Sequence, residues 1–326
     1  MREEKDKAVN DFSSELLVFF RTPLPFLPGV SIIFCMIKVD KDLEKTKLTG
    51  LIGYPVEHSK SPLMHNTAFE ELGLDYTYEL FEVKEDEVAE AFADLKALGV
   101  AGFNCTMPDK IKAFELADEV SPEARLIGAA NTIVNKDDKF VAYNTDGIGF
   151  VNALKDNGFD IKDKVITILG SGGAASAIIV QCALDGAKEI NILSIKDKFW
   201  DKAQELVNNI IEETHTNINL IEMTDETIEE CILKSSLLCN ATPIGMAPNE
   251  DACLIKDSSL LRSDLVVVDI IYNPLETKLY KMAKKNGCKV LNGIEMLIFQ
   301  GAASFELWTG DNFPIEKVRE AVYKSI

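Results

Sequence analysis

From Lys47 onward, short apolar runs alternate with longer stretches in which apolar residues recur every three or four positions. The first run, Leu48–Tyr54 (LTGLIGY), predicts a strand. Ser61-Pro62 predicts a helix start with a hydroxyl N-cap and proline at the first helical position. Leu63, Met64, Ala68, Phe69 and Leu72 continue that helix at the right spacing, and Gly73 closes it. YTYELFEV predicts a second strand, EVAEAFADLKAL a helix and VAGFNCT a third strand. A second unit starts near Lys164, where VITILG, EINILS, SLLCNA and LVVVDII predict strands separated by helical segments. Strictly alternating strands and helices are the pattern of a parallel, doubly wound sheet. No internal repeat and no low-complexity linker interrupts the series.

One stretch, Gly102–Lys110 (GFNCTMPDK), fits neither periodicity. Pro108 removes a backbone donor and favours an extended Met107, so a strand should end here and a helix restart near Lys110. Taken alone, Lys110 reads as a solvated lysine at a helix start.

Composition narrows the class. A chain of 326 residues that is 47% hydrophobic buries a large core and suggests about two domains. A formal net charge of -19 repels phosphate backbones and anionic membranes, which argues against nucleic-acid and membrane partners. The seven cysteines never stand at CxxC spacing and mostly lie in apolar runs, which suggests a reducing, cytoplasmic setting and no zinc site. With only His58, His65 and His215 present, a histidine-rich metal site is not expected. Residues 1–47 stand apart as an extension, too interrupted by Pro25, Pro28 and Gly29 to span a bilayer, with Met36 as an alternative start.

The clearest chemical signal is Gly170-Ser171-Gly172-Gly173-Ala174-Ala175, directly after VITIL and before a helical run. Glycines let a backbone approach a pyrophosphate, and the helix N-terminus adds amide donors and a favourable dipole. Glycine-rich turns also arise for steric reasons, but the strand-turn-helix context points to a dinucleotide and so to an oxidoreductase.

Together GYPVEHSKSPLMHN, GFNCTMPDK, IGAANTIV, YNTDGIG, GSGGAA and GIEMLIFQGAASFELWTG resemble the shikimate dehydrogenase family, including its quinate/shikimate branch, from about Leu48 to the C-terminus. The resemblance implies an α/β chain with an N-terminal α/β substrate domain over residues 48–147, completed by 295–326, and a Rossmann doubly wound parallel-sheet domain over 148–294. It makes Lys110 and Asp146 the catalytic pair, since an ammonium beside a carboxylate can stabilise and protonate the oxygen formed by hydride transfer. Ser59, Ser61 and Tyr272 resemble the family's residues around the substrate carboxylate, and Thr106, Asn131 and Gln300 those around the ring hydroxyls. Singly, these read as a strand-end Thr, a turn Asn and an exposed helical Gln. His58 and His65 have no catalytic counterpart in the family. Cys105 stands where valine is usual and reads as a small core residue.

For the cofactor, the resemblance adds Thr242, Met246 and Gly293 to the glycine-rich turn. NADP-specific members usually carry Asn-Arg-Thr or Asn-Arg-Arg after the second Rossmann strand, where this chain has Ser194, Ile195 and Lys196. Asp197 resembles the acid that accepts a bond from an unphosphorylated ribose. The expectation is therefore NAD in preference to NADP, with Lys196 able to meet a phosphate as a point charge. The implied reaction is the interconversion of 3-dehydroshikimate and shikimate, with quinate as a further substrate. A dedicated NAD-dependent quinate dehydrogenase and a non-catalytic quinate/shikimate sensor are the alternatives, and a homodimer is left open.

Overall fold

The structure is a computed structural model that describes residues 46–326 together with two short paired strands, β1 (Glu15–Leu17) and β2 (Lys38–Asp40). Apart from these two strands, Thr46 and Lys47, the expected extension, Cys35 and Met36 included, lies outside the described residues.

Next come β3 (Lys47–Gly53), α1 (Ser61–Leu72), β4 (Tyr76–Glu82), α2 (Val88–Ala97), β5 (Gly102–Cys105) and α3 (Lys110–Leu116). They are followed by β6 (Glu119–Val120), α4 (Pro122–Ile127), β7 (Thr132–Lys136) and β8 (Lys139–Tyr143). The six strands form one mixed sheet in the order β4-β3-β5-β7-β8-β6. β3 runs parallel to β4 and β5, whereas β7 is antiparallel to both its neighbours. One face packs Phe81, Val88, Phe92 and Phe103. The other packs Met64 and Phe69 of α1 against the C-terminal helices introduced below.

α5 (Asp146–Asp156) leads to β9 (Val165–Leu169), α6 (Gly173–Leu184), β10 (Glu189–Ser194), α7 (Trp200–Thr214), β11 (Asn217–Glu222) and α8 (Asp225–Lys234). β12 (Leu237–Asn240), β13 (Val266–Asp269), α9 (Lys278–Lys285) and β14 (Lys289–Leu291) complete the unit. Its strands are all parallel, in the order β11-β10-β9-β12-β13-β14, the doubly wound arrangement. Helices cover both faces, so β9 and β12 are continuous apolar runs rather than alternating ones. α6 is apolar nearly all round because it is buried nearly all round.

α10 (Gly293–Thr309) and α11 (Ile315–Lys324) return to the first sheet, where Ile294, Ile298 and Phe305 join the core of α1. The expected segment limits at 148 and 295 thus fall in the first turns of α5 and α10. α5 places Phe150, Val151 and Leu154 in the core of the second sheet, and α10 adds Met296 to it. A Cβ on Gly149 would come within 2.5–2.7 Å of Gln300, and one on Gly147 within 2.4 Å of the Ala177 carbonyl. Helix α5 is therefore pressed between α10 and α6 at distances that only glycine permits.

The start of α1 differs from the sequence expectation. Ser61 is the first helical residue, and Lys60 occupies the N-cap without a side-chain bond. The hydroxyl contact comes from Ser59, whose Oγ accepts the Ser61 N–H at 3.2 Å. A serine two residues upstream forms this local turn bond readily, and it displaces Ser61 from the capping role.

Candidate active site

β5 ends at Cys105, and α3 begins at Lys110, as the proline corner predicts. On the neighbouring edge, β8 ends at Tyr143, and Asp146 opens α5 with Thr145 as N-cap. The two corners bring Lys110 Nζ to 2.5 Å from Asp146 Oδ2. Both side chains are largely buried, at 25% and 11% exposure, so the pair meets water on one side only. An ion pair so enclosed interacts more strongly than a surface pair.

Asn131, immediately before β7, is the third member. Its Nδ2 donates to Asp146 Oδ1 at 2.8 Å and approaches Gln300 Oε1 at 3.4 Å. The isolated readings of a turn Asn and an exposed Gln therefore fail: Asn131 is buried and Gln300 half-buried. Thr106 follows β5, with its Cγ2 against Gly53. Ser59 and Ser61 sit at the start of α1. Tyr272 is half-exposed in the loop after β13, and no described hydrogen bond links it to these groups.

Behind Asn131 lies a cluster that sequence reasoning passed over. Asn104, Thr132, Thr145 and Ser304 are all buried and joined by hydrogen bonds of 2.8–3.1 Å. All four stand inside the quoted motifs, yet single polar residues in apolar runs carry no periodic signal.

Two further titratable groups are buried nearby. Asp109 is fully buried with neither carboxyl oxygen hydrogen-bonded, and burial, with Glu85 adding repulsion, pushes its pKa up to about 6. His65 is fully buried between Tyr78, Phe305 and Trp308, and burial lowers its pKa to about 3. It is a neutral core residue at physiological pH, while His58 is exposed beside Glu57. Cys105 is likewise buried, and burial holds its thiol protonated.

The second half of the site is the β9–α6 turn. Gly170 has φ +102, and a Cβ there would reach the Ala241 carbonyl and Thr242 Cγ2 at 3.0 Å. Gly172 and Gly173 face open space, no side chain caps α6, and no acid lies in its first turn. Ser171 Oγ bonds Ser194 Oγ at 2.7 Å, tying the turn to the end of β10. Thr242 is anchored on the buried Asn240, which in turn bonds Asp269. Met246 is half-exposed, and Gly293 packs so closely under the Ile270 carbonyl that any Cβ would collide with it. Free amides, an open glycine face and the absence of negative charge fit a dinucleotide pyrophosphate. Beyond β10, Ile195 is exposed, and Lys196 Nζ lies 5.7 Å from the Trp200 ring centre. Asp197 Oδ1 accepts the Phe199 N–H at 2.9 Å.

Among the described residues, no group of three or more His, Cys, Asp or Glu could hold a metal ion, and no helix is long and apolar enough to cross a membrane.

The family model described as the shikimate dehydrogenase substrate binding domain matches residues 51–133. The model of the shikimate 5'-dehydrogenase C-terminal domain matches residues 293–323. A shikimate dehydrogenase (NADP(+)) of Alkaliphilus metalliredigens is 46% identical over 277 residues, covering 85% of this chain and 96% of that protein. Among solved structures, the shikimate 5-dehydrogenase of Listeria monocytogenes in complex with shikimate and NAD has a TM-score of 0.84 at 41% identity. That match covers 87% of this chain and 99% of the other. The quinate dehydrogenase of Corynebacterium glutamicum in complex with NAD is also similar, with a TM-score of 0.77 at 28% identity over 86% and 99% of the two chains.

Proposed function

Because this chain belongs to the shikimate dehydrogenase family, we propose that it catalyses the reversible NAD(P)-dependent reduction of 3-dehydroshikimate to shikimate. The observation that carries the reading is the enclosed Lys110–Asp146 pair, one residue from the point where α5 meets the helix of the glycine-rich turn. The bound nicotinamide supplies the hydride or accepts it. Lys110 Nζ faces the carbonyl oxygen, stabilises the negative charge that grows on it, and with Asp146 holds the proton that completes the hydroxyl. Asn131 and Gln300 bind ring hydroxyls beside this pair, Thr106 a further one, and Ser59, Ser61 and Tyr272 the carboxylate. The glycine-rich turn, Thr242, Met246 and Gly293 form the cofactor wall. Quinate, a hydroxy acid of the same ring class, is a second substrate, in keeping with the similarity to a quinate dehydrogenase.

NAD is the cofactor that the loop after β10 favours. No guanidinium stands there to pair with a 2′-phosphate: Ile195 is apolar, and Lys196 leans on Trp200. Asp197 adds negative charge where that phosphate would lie. The opposing consideration is the NADP(+) in the name of the Alkaliphilus relative. A matrix of initial rates, shikimate and quinate each with NAD and NADP, tests the whole proposal. Turnover of shikimate with NAD as the better cofactor is the expected result. Binding of either acid without turnover in all four cells would replace the enzyme by a sensor.

A further inference from the structure

The polar cluster behind Asn131 can be read as a circuit of donors and acceptors. The Asn131 carbonyl can only accept, and Asn104 Nδ2 donates to it at 3.1 Å, which fixes the orientation of the Asn104 amide. That same NH2 lies 3.0 Å from Thr132 Oγ1 and 3.0 Å from Ser304 Oγ. With one N–H given to the Asn131 carbonyl, a single N–H is left for the two hydroxyls, and because an amide nitrogen cannot accept, Thr132 must send its single proton elsewhere than to Asn104. Of its other side-chain neighbours, Asn131 Oδ1 at 2.9 Å is the one that can only accept. The Thr145 N–H reaches the same oxygen at 2.8 Å and the Thr145 hydroxyl approaches it at 3.1 Å, so the Thr132 hydroxyl is the nearer of the two hydroxyls that hold it. Ser304, equally unable to donate to the Asn104 nitrogen, finds a pure acceptor in the Gln300 carbonyl at 3.1 Å. With Oδ1 saturated from behind, the Asn131 nitrogen points forward to Asp146 Oδ1 and Gln300 Oε1.

We propose that Thr132 is a positioning residue for the reaction, its hydroxyl locking the Asn131 amide so that the amide nitrogen holds Asp146, and through it Lys110, in the reactive arrangement. The inference rests on the function proposed above, and it assigns a role to a residue that touches neither substrate nor cofactor. Thr132 is fully buried and three hydrogen bonds removed from the ammonium. Nothing in its position calls for a hydroxyl except these contacts: its neighbour Ile133 in β7 is purely apolar. The circuit closes inward on Tyr78, whose hydroxyl donates to Asn104 Oδ1 and whose burial keeps it protonated. The cluster therefore orients and does not conduct: two amides interrupt any proton path through it.

The test compares Thr132→Val, which keeps the shape and removes the hydroxyl, with Thr132→Ser, which keeps the hydroxyl and removes a methyl. Steady-state kinetics are read alongside the 15N side-chain amide signal of Asn131, assigned by its loss in Asn131→Asp. The expected result is a fall of about tenfold in kcat for Thr132→Val with the cofactor KM unchanged, a displaced Asn131 amide signal, and recovery of both in Thr132→Ser. Three results would each overturn the proposal: wild-type kcat in a folded Thr132→Val protein, a loss of kcat with the Asn131 signal unmoved, or equal impairment in Thr132→Ser. If the wild-type chain turns over neither acid, the proposed function falls, while the Asn131 signal still decides whether Thr132 fixes the amide.

Discussion

The two halves of the site are prepared in opposite ways. Around Asn131 nearly every buried polar atom is already matched within the protein, down to hydroxyls that bond one another as well as the Asn131 and Gln300 oxygens. At the β9–α6 turn the chain withholds partners: glycines face open space and the helix start has no side-chain cap. The first arrangement suits charge that appears for an instant during reaction, because preformed dipoles need not reorganise. The second suits a ligand that brings its own charges and bonds. Substitutions should consequently abolish chemistry on one side and shift preference on the other.

The largest effect is expected at the saturated side. Lys110→Ala should lower kcat by about 10³-fold with a much smaller change in the KM for shikimate, because the ammonium acts on charge present only in the transition state. Steady-state rates measure this, and activity equal to wild type would remove Lys110 from the mechanism. On the open side, Ile195→Arg should raise kcat/KM for NADP relative to NAD by roughly 10- to 100-fold, the worth of one charged hydrogen-bonding partner. If the ratio stays put, recognition of the ribose does not run through this loop, and the contrast between the halves weakens.

The smallest expected effect concerns Asp109, a buried carboxyl at the β5–α3 corner that escapes the pattern of matched partners. Its folded pKa of about 6 lies above the ordinary 3.8. The folded state therefore holds the proton more tightly, and stability is greatest below the ordinary value and declines as pH rises to about 6. Asp109→Asn has no charge to bury, so its melting temperature should match wild type more closely at pH 4 and exceed it by about 2 °C or more at pH 7.5. A gap that does not vary with pH would mean that Asp109 is ionised and paired in solution.

The parallel sheet was legible because β9, β10, β12 and β13 are apolar runs closed off by helices, and the β5–α3 corner because Pro108 punctuates it. The β7–β8 hairpin was not. Its two-residue turn is Asp137-Asp138, both at positive φ (52° and 63°), where Asn-Gly or Asp-Gly would have announced it. β11, NINLIE, is an edge strand whose polar residues dilute the signal. Asp146 looked like a turn aspartate because the helix it opens starts with glycines, poor helix formers that are present for packing. Lys110, Asp146, Asn131 and Gln300 were singled out through the motifs and lie together in the structure, whereas the hydroxyls behind them depend on which strands become neighbours, and no linear pattern states that.

The squeeze on α5 has a bearing on how such a protein can be altered. Gly147 and Gly149 leave no room for a methyl group on either side, so a change there is transmitted at once to the helix below the glycine-rich turn and to Gln300. Substrate scope and cofactor choice cannot be revised independently across this seam. An engineer, or a lineage under selection, has to seek new specificity at the periphery, in the loop after β10 or along the exposed start of α1, and leave the two glycines as they are.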